Sequence, residues 1–302
     1  MRYFMALAEE RHFGRAAERL HMAQPPLTRQ IRALEDELGA TLFKRTPRGV
    51  ELTDAGRVLL DEVPTVLALA ARAKERTRLA GQGLIGRLDV GVFGSGVLDV
   101  IPRMLSRFRE ARPEVRIELH NMTKTEQLEA LRERRISVGF NRLVPDDPDI
   151  AVEQVLRERM VVALPERHRL AARTRIRVRD LDGEPLILYP NVPLPGLAQE
   201  VVTAFRSEGI EPRVAQQVED VLTAVALVAG GFGLCVTTAS TTRLGLPGVA
   251  YRPFVSPHLR DIELACLYRR DNASPILAAF LAVVRAQASS RPQGRTKDRA
   301  GG

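Results

Sequence analysis

Two helical patterns separated by only three residues constrain this chain more than any other feature. Gly14, Ala16, Ala17 and Leu20 form the first; His21-Met22-Ala23 follows as a short turn; Gln24-Pro25-Pro26 opens the second. Prolines at the head of a helix cost little, because the first N–H groups have no intrahelical partner. Ile31, Leu34 and Leu38 are expected to form the buried stripe of this second helix, with Thr28, Arg29 and Arg32 turned largely away from it. Ahead of the pair, Tyr3, Phe4, Leu7 and Ala8 share one helical face. A small-residue helix, a tight turn and a helix with polar groups near its start predict a helix-turn-helix, whose second helix enters the major groove of DNA. The free N–H groups at that helix start suit a phosphate. Phe43 to Leu52 reads as a β-hairpin wing with a basic tip, placed to lie along a DNA backbone or in the minor groove.

Residues 58–80 are rich in Ala and Leu, with apolar residues three and four apart at Leu59, Val63, Val66, Leu67 and Ala70. That spacing predicts one long helix, ended by Gly81-Gln82-Gly83. Pro64 falls inside it, where proline removes a hydrogen bond and is expected to kink the axis. From Arg87 the chain alternates between strand and helix patterns. The strands expected are Leu88–Phe93, Arg116–Met122, Ile136–Phe140, Met160–Leu164, Pro185–Leu188, Val214–Val218, Leu234–Thr237 and Ile262–Arg269. The helices between them are Val97–Ala111, Thr123–Arg134, Leu197–Ser207 and Val221–Ala229, and Ser274-Pro275 caps a last one. Such alternation predicts parallel α/β units. The domain layout expected is 1–57, a linker and hinge over 58–86, and an α/β domain over 87–290. A tail over 291–302, rich in Gly, Arg and polar residues, is expected to be disordered.

A length of 302 residues fits two or three domains of ordinary size. The net charge of +8 points only weakly to an anionic partner, because part of it sits in the tail at Arg291, Arg295, Lys297 and Arg299. The first fifty-odd residues are nearly balanced, so basic surface there must come from placement. No apolar run is long enough to cross a membrane and the first residues do not read as a signal peptide, so a cytoplasmic protein is expected. Cys235 and Cys266 lie in apolar runs and are expected as buried thiols. The five histidines have no metal-ligand spacing, and no nucleophile–base pair is readable, so neither a cofactor nor an enzyme is implied. Gly230-Gly231-Phe232-Gly233 follows a helix and precedes a strand, the reverse of a nucleotide loop. Asp146-Asp147-Pro148-Asp149 lacks the spacing of a calcium loop.

Several positions in the α/β region could hold a ligand. In Val92-Phe93-Gly94-Ser95-Gly96 a strand ends in a small-residue turn; Ser95 is either a helix cap or an anion donor there. Thr123 and Glu126 have the spacing of a capping box, which leaves Thr125 freer to face a ligand. Asn141-Arg142 follows a strand, where open α/β sheets keep cleft residues, and Arg142 can pair with a carboxylate. Tyr189-Pro190-Asn191-Val192-Pro193-Leu194-Pro195 is a rigid loop fit to wall a pocket.

The string AAERLHMAQPPLTRQIRALEDELGATLFKRTPRGVELTDAG resembles the signature of LysR-type transcriptional regulators along its whole length. The resemblance implies a winged helix-turn-helix, a long linker helix that pairs in a dimer, and a two-lobed α/β effector domain similar to periplasmic binding proteins. Lobe I would take about 87–160 and 263–290, and lobe II about 161–262. The family has several residues before the position of Met1, so the first helix is expected to be short. The resemblance places Gln24, Pro25, Pro26, Thr28, Arg29 and Arg32 at the groove and Arg48 on the wing. Arginine can pair two donors to guanine, which would make Arg29 a specificity contact. NMTKTEQLEAL, VGFNR, LILYPNVPLP and VEDVLTAVALVAGGFGLCVTTAS are most similar to regulators of catechol and chlorocatechol degradation, which respond to muconate-type dicarboxylates. On that resemblance Ser95, Thr123, Thr125, Arg142, Pro195 and Leu197 would contact the effector. The partners implied are double-stranded promoter DNA, a small organic acid, further copies in a homodimer or homotetramer, and RNA polymerase, with no membrane. Two rival readings stand beside this one. The first is a small-molecule binding protein or enzyme on the α/β domain, with the N-terminal helices used to oligomerise. The second is a general DNA binder acting through the basic tail.

Overall fold

The computed structural model describes residues 1–47, 49–190 and 196–289. Arg48, the loop 191–195 with Pro195, and the tail expected at 291–302 lie outside the described residues. The chain divides into two compact units, Met1–Leu79 and Ala80–Gly302.

The first unit begins with α1 (Arg2–Glu10), α2 (Phe13–Arg19) and α3 (Gln24–Leu38). The hairpin β1 (Phe43–Thr46) and β2 (Gly49–Leu52) follows, paired antiparallel, and α4 (Asp54–Gly81) ends it. The His12 side chain caps α2 by accepting the Gly14 N–H at 3.1 Å. Prolines occupy the first turn of α3, and Gly39, at a φ of 63°, turns the chain out of it. One core gathers Phe4 and Leu7 of α1, Ala16 and Ala17 of α2, Leu27 and Ile31 of α3, and Val63 of α4. Two expectations fail at its margin. Leu38 is exposed, because α3 ends there and only Leu27, Ile31 and the half-buried Leu34 reach the core. Tyr3 is exposed beside the fully buried Phe4. The long helix starts earlier than its periodicity suggests and continues through Pro64. Leu59 and Leu67 are half-buried on the core, while 68–78 are exposed.

The second unit holds two sheets. β3 (Gly86–Val92) leads through a 3-10 turn at Gly94–Leu98 into α5 (Val100–Ala111), then β4 (Val115–Asn121), α6 (Lys124–Arg132), β5 (Val138–Arg142) and β6 (Ile150–Glu158). A single residue, Arg159, then separates β6 from β7 (Met160–Pro165) of the second sheet. That sheet adds β8 (Ile176–Arg177), while β9 (Leu186–Leu188), α7 (Leu197–Ser207), β10 (Val214–Gln217) and α8 (Val221–Ala229) build around it. β11 (Cys235–Thr238) and β12 (Val249–Val255) complete it, and β13 (Ile262–Arg269) and α9 (Pro275–Ser289) return to the first. The first sheet runs β4-β3-β5-β13-β6 and the second β11-β7-β12-β8, with β10 beside β9.

The architecture is a two-lobed α/β domain, but not an all-parallel one. β3 pairs parallel with β4 and β5, whereas β13 runs antiparallel to β5 and β6, and β7 antiparallel to β11 and β12. The reversals follow from the crossings: a strand returning from the other lobe has no helical crossover to set it parallel. Each lobe has its own core. In the first, Phe280 meets Phe108 edge-on at 5.3 Å and Phe140 at 6.1 Å. In the second, α7 and α8 bury Phe205, Val225 and Val228 among the strands. Cys235 and Cys266 are free and fully buried, and burial pushes both thiols up, away from the reactive thiolate form. Among the described residues, no helix is long and apolar enough to cross a membrane, and no three His, Cys, Asp or Glu side chains gather as a metal site.

Candidate nucleic-acid interface and ligand cleft

On α3, Leu27 and Ile31 anchor one side, which leaves Gln24, Pro25, Arg29 and Arg32 exposed and Pro26 and Thr28 half-buried. The Thr28 hydroxyl donates to the Gln24 carbonyl at 3.1 Å, which holds it against the helix start. Arg29 and Arg32 have no ion pair among the described residues. By contrast Arg15 and Arg19 pair with Glu10, and Arg57 with Asp54. The exposed arginines on α3 are therefore uncommitted donors beside the positive end of a helix dipole.

The hairpin is fixed to this helix pair by its backbone. Val50 donates its N–H to the Arg11 carbonyl at 3.0 Å. Gly49 has a φ of 134°, and a Cβ there would stand 2.3 Å from the same carbonyl oxygen, so no other residue fits. The Glu35 carboxylate accepts the N–H groups of Leu42 at 2.7 Å and Phe43 at 3.2 Å, which ties the start of β1 to α3. Nothing in the spacing of the sequence marks Glu35. Arg45 is exposed on β1, and Lys44 pairs with Glu51 at 3.1 Å.

The second site is a cavity between the two lobes, at the C-terminal ends of β3 and β5. Ser95, Lys124, Asn141 and Arg142 line it from one lobe; Tyr189, Pro190, Leu197 and Thr238 line it from the other. Hydrogen bonds cross between the lobes at its back. Ser95 Oγ and Thr238 Oγ1 share one of 2.7 Å, and the Ser240 N–H donates to Glu158 at 2.8 Å. Ser95 does not cap the turn that carries it. The Arg142 guanidinium forms a close ion pair with Glu158 through Nη2; the Glu158 side chain is buried and that of Arg142 half-buried. Its Nη1 has no partner among the described residues, and neither has the buried Nδ2 of Asn141. A buried donor left unmade costs about 1–3 kcal/mol, so the cavity is poised for an acceptor. Lys124 is 4% exposed and donates to the Leu143 carbonyl at 2.7 Å; burial pushes its ammonium down to about 8. The Tyr189 hydroxyl bonds Thr237, which bonds Thr241 at 2.7 Å, and burial pushes the phenol up.

Residues 1–57 match the family described as bacterial regulatory helix-turn-helix protein, lysR family, and residues 81–289 match the LysR substrate binding domain. The chain belongs to the LysR family. It is similar to the transcriptional regulator ClcR of Pseudomonas putida, with 37% identity over 93% of this chain and 95% of that protein. It is also similar to the crystal structure of full-length CbnR complexed with its target DNA. The TM-score is 0.82 and the identity 36%, over 95% of this chain and 98% of that one. The effector-binding domain of BenM with its effector benzoate matches at a TM-score of 0.61 and 30% identity, over 69% of this chain and 96% of that one.

As a LysR-type regulator, the protein binds DNA through its N-terminal unit and carries an effector domain in its second. The rival reading of the first helices as a mere oligomerisation module gives way to this family match. The geometry sorts the effector positions read from sequence. Ser95, Arg142 and Leu197 line the cavity. Thr123 is the N-cap of α6: it accepts the Glu126 N–H at 3.4 Å while Glu126 accepts the Thr123 N–H at 2.7 Å. Thr125 is half-buried on the next turn, and neither threonine is among the residues lining the cavity. Lys124, between them, is. Nothing in the sequence marks it, because a lysine in the first turn of a helix ordinarily belongs to solvent.

Proposed function

We propose that this regulator reads promoter DNA with α3 and its wing, and that a small organic acid of the muconate class, held in the interlobe cavity, changes how it holds that DNA. The single observation that carries the proposal is the donor-rich cavity, where Arg142 Nη1 and Asn141 Nδ2 are buried without an acceptor among the described residues, beside Lys124. A carboxylate supplies the acceptors that these donors lack. The likeness to an effector domain that binds benzoate supports the same ligand class. Gln24, Pro25, Pro26, Thr28, Arg29, Arg32 and Arg48 make the DNA contacts in this proposal. Ser95, Arg142 and Leu197 hold the acid, with Pro195 as a further contact in this proposal. The acid meets Glu158 as a competitor for Arg142, so binding exchanges one carboxylate partner for another. Closure of the lobes around it changes how the protein holds its DNA.

The working layout is 1–57 for DNA, 58–86 for the linker and hinge, and 87–290 for the effector, with lobe II over about 161–262. The exposed stretch of α4 pairs with a second copy, in a homodimer or homotetramer that acts on RNA polymerase in the cytoplasm. The α/β domain binds its acid without transforming it. The test is gel retardation and footprinting on the protein's own upstream intergenic DNA, with and without cis,cis-muconate. Specific binding with a footprint or bend that changes with the acid is expected. Specific binding indifferent to muconate, chloromuconates and benzoate would remove the effector half of the proposal. Loss of all specific binding in a folded protein would remove the assigned DNA contacts.

A further inference from the structure

The cavity wraps the end of β5, and its donors fall on two sides of that strand. A Cβ on Gly139 would stand 2.5 Å from Gln127 of α6, so the odd-numbered face of β5 lies under α6. Phe140 packs on Phe280 of α9, so the even-numbered face lies on the other side. Successive side chains alternate, which sends Asn141 to the side of α6 and Lys124 and sends Arg142 to the side of Ser95. The Asn141 Oδ1 accepts the Arg142 N–H at 3.0 Å, so its amide nitrogen is the atom left without a partner among the described residues. Asn141 is 7% exposed and Lys124 4%, so both donors have been taken from water.

We propose that Lys124 and Asn141 form a second carboxylate subsite, on the opposite face of β5 from Arg142 and Ser95, and that this pair selects acids with two carboxylates over acids with one. The inference rests on the reading of the cavity as an acid site. A second carboxylate buried without a cation would cost more than its hydrogen bonds return, and Lys124 supplies that cation. Its ammonium is pushed down to about 8 by burial, so it is charged at neutral pH and loses its charge as pH rises through that value. Arg142 and Tyr189 line the cavity with it, and Glu158 reaches the cavity through Arg142. Burial carries the Tyr189 phenol up and away from this range, and Glu126 on the same helix is turned to the Thr123 cap. Affinity for a diacid should therefore fall above pH 8, while affinity for a monoacid should not.

The experiment is calorimetric titration of the full chain with cis,cis-muconate and with sorbate, a six-carbon diene acid with one carboxylate. The native protein should prefer muconate by about tenfold or more, and Lys124→Met should weaken muconate by about 10–100-fold while sorbate moves less than about threefold. Asn141→Ala should move muconate in the same direction by less. Lys124→Arg should keep the preference and flatten the fall above pH 8. This arm decides the matter if Lys124→Met does not fold. An unchanged preference in Lys124→Met overturns the subsite, and so does a pH profile that Lys124→Arg leaves unaltered. Equal affinity of the native protein for the two acids also overturns it, while leaving the acid site standing. Binding of neither acid by the native protein overturns the acid-site reading itself, and the subsite with it.

Discussion

The cations of the two units are kept in opposite conditions. Arg29 and Arg32 on α3 are exposed, without an ion pair among the described residues. Lys124 is buried and bonded to a carbonyl, and Arg142 is half-buried and paired with the buried Glu158. An exposed cation acts at long range and is screened by salt. A buried one acts only at contact, but strongly, because no water competes. The difference teaches how one chain can treat two anions separately. Under the proposed function, DNA would be met by hydrated charges that tolerate many phosphate positions, and the acid by donors largely stripped of water that accept few shapes.

The largest effect that can break this comparison is at Arg142. Arg142→Met removes the partner of a buried carboxylate, so thermal denaturation should show a loss of about 3–5 kcal/mol. Calorimetry should show muconate binding gone. Adding Glu158→Gln should restore much of the stability without restoring the acid. If the single variant binds muconate normally, the cleft cations are not what separates the two regions. Next comes the wing. Gly49→Ala forces a Cβ against the Arg11 carbonyl, so operator affinity should drop about tenfold, measured by fluorescence anisotropy, with about 1–3 kcal/mol lost from stability. Arg29→Ala should weaken operator binding by about 1–3 kcal/mol and reduce the salt slope by about one, while muconate affinity stays put. A muconate affinity that moved with it would mean that the two sets of cations are not separate. The smallest effect is at the α6 cap: Thr123→Ala should cost about 1 kcal/mol in a melt and leave muconate binding unchanged. A large loss of muconate affinity there would bring the cap residue back into the acid site.

What could be read from the sequence follows the strength of local pattern. α7, α8 and β13 lie where their periodicity places them, because each carries a full apolar face between polar or glycine boundaries. The tight turn after Leu20 and the prolines at the start of α3 are likewise local signals. β6 and β12 were not legible, since the charged residues Glu153, Arg157 and Arg252 interrupt their apolar alternation. With β6 missing, Glu158 could not be seen as the partner of Arg142, a contact sixteen residues apart in sequence. Lys124 illustrates the same limit in the cleft. Its type and position assign it to solvent, whereas the fold buries it beside the end of β5, where it donates to the Leu143 carbonyl. Glu35 is hidden in the same way, because its work is to hold backbone N–H groups that the sequence does not show as unmet.

The central claim is that acid in the cleft and DNA on α3 are coupled, although their cations are kept apart. The most direct measurement is calorimetric titration of cis,cis-muconate into the protein alone and into its operator complex. Coupling predicts two different dissociation constants, with muconate shifting the operator affinity by the same factor, since linkage is reciprocal. One dissociation constant for both titrations, with an operator affinity and bend indifferent to saturating muconate, would contradict the account.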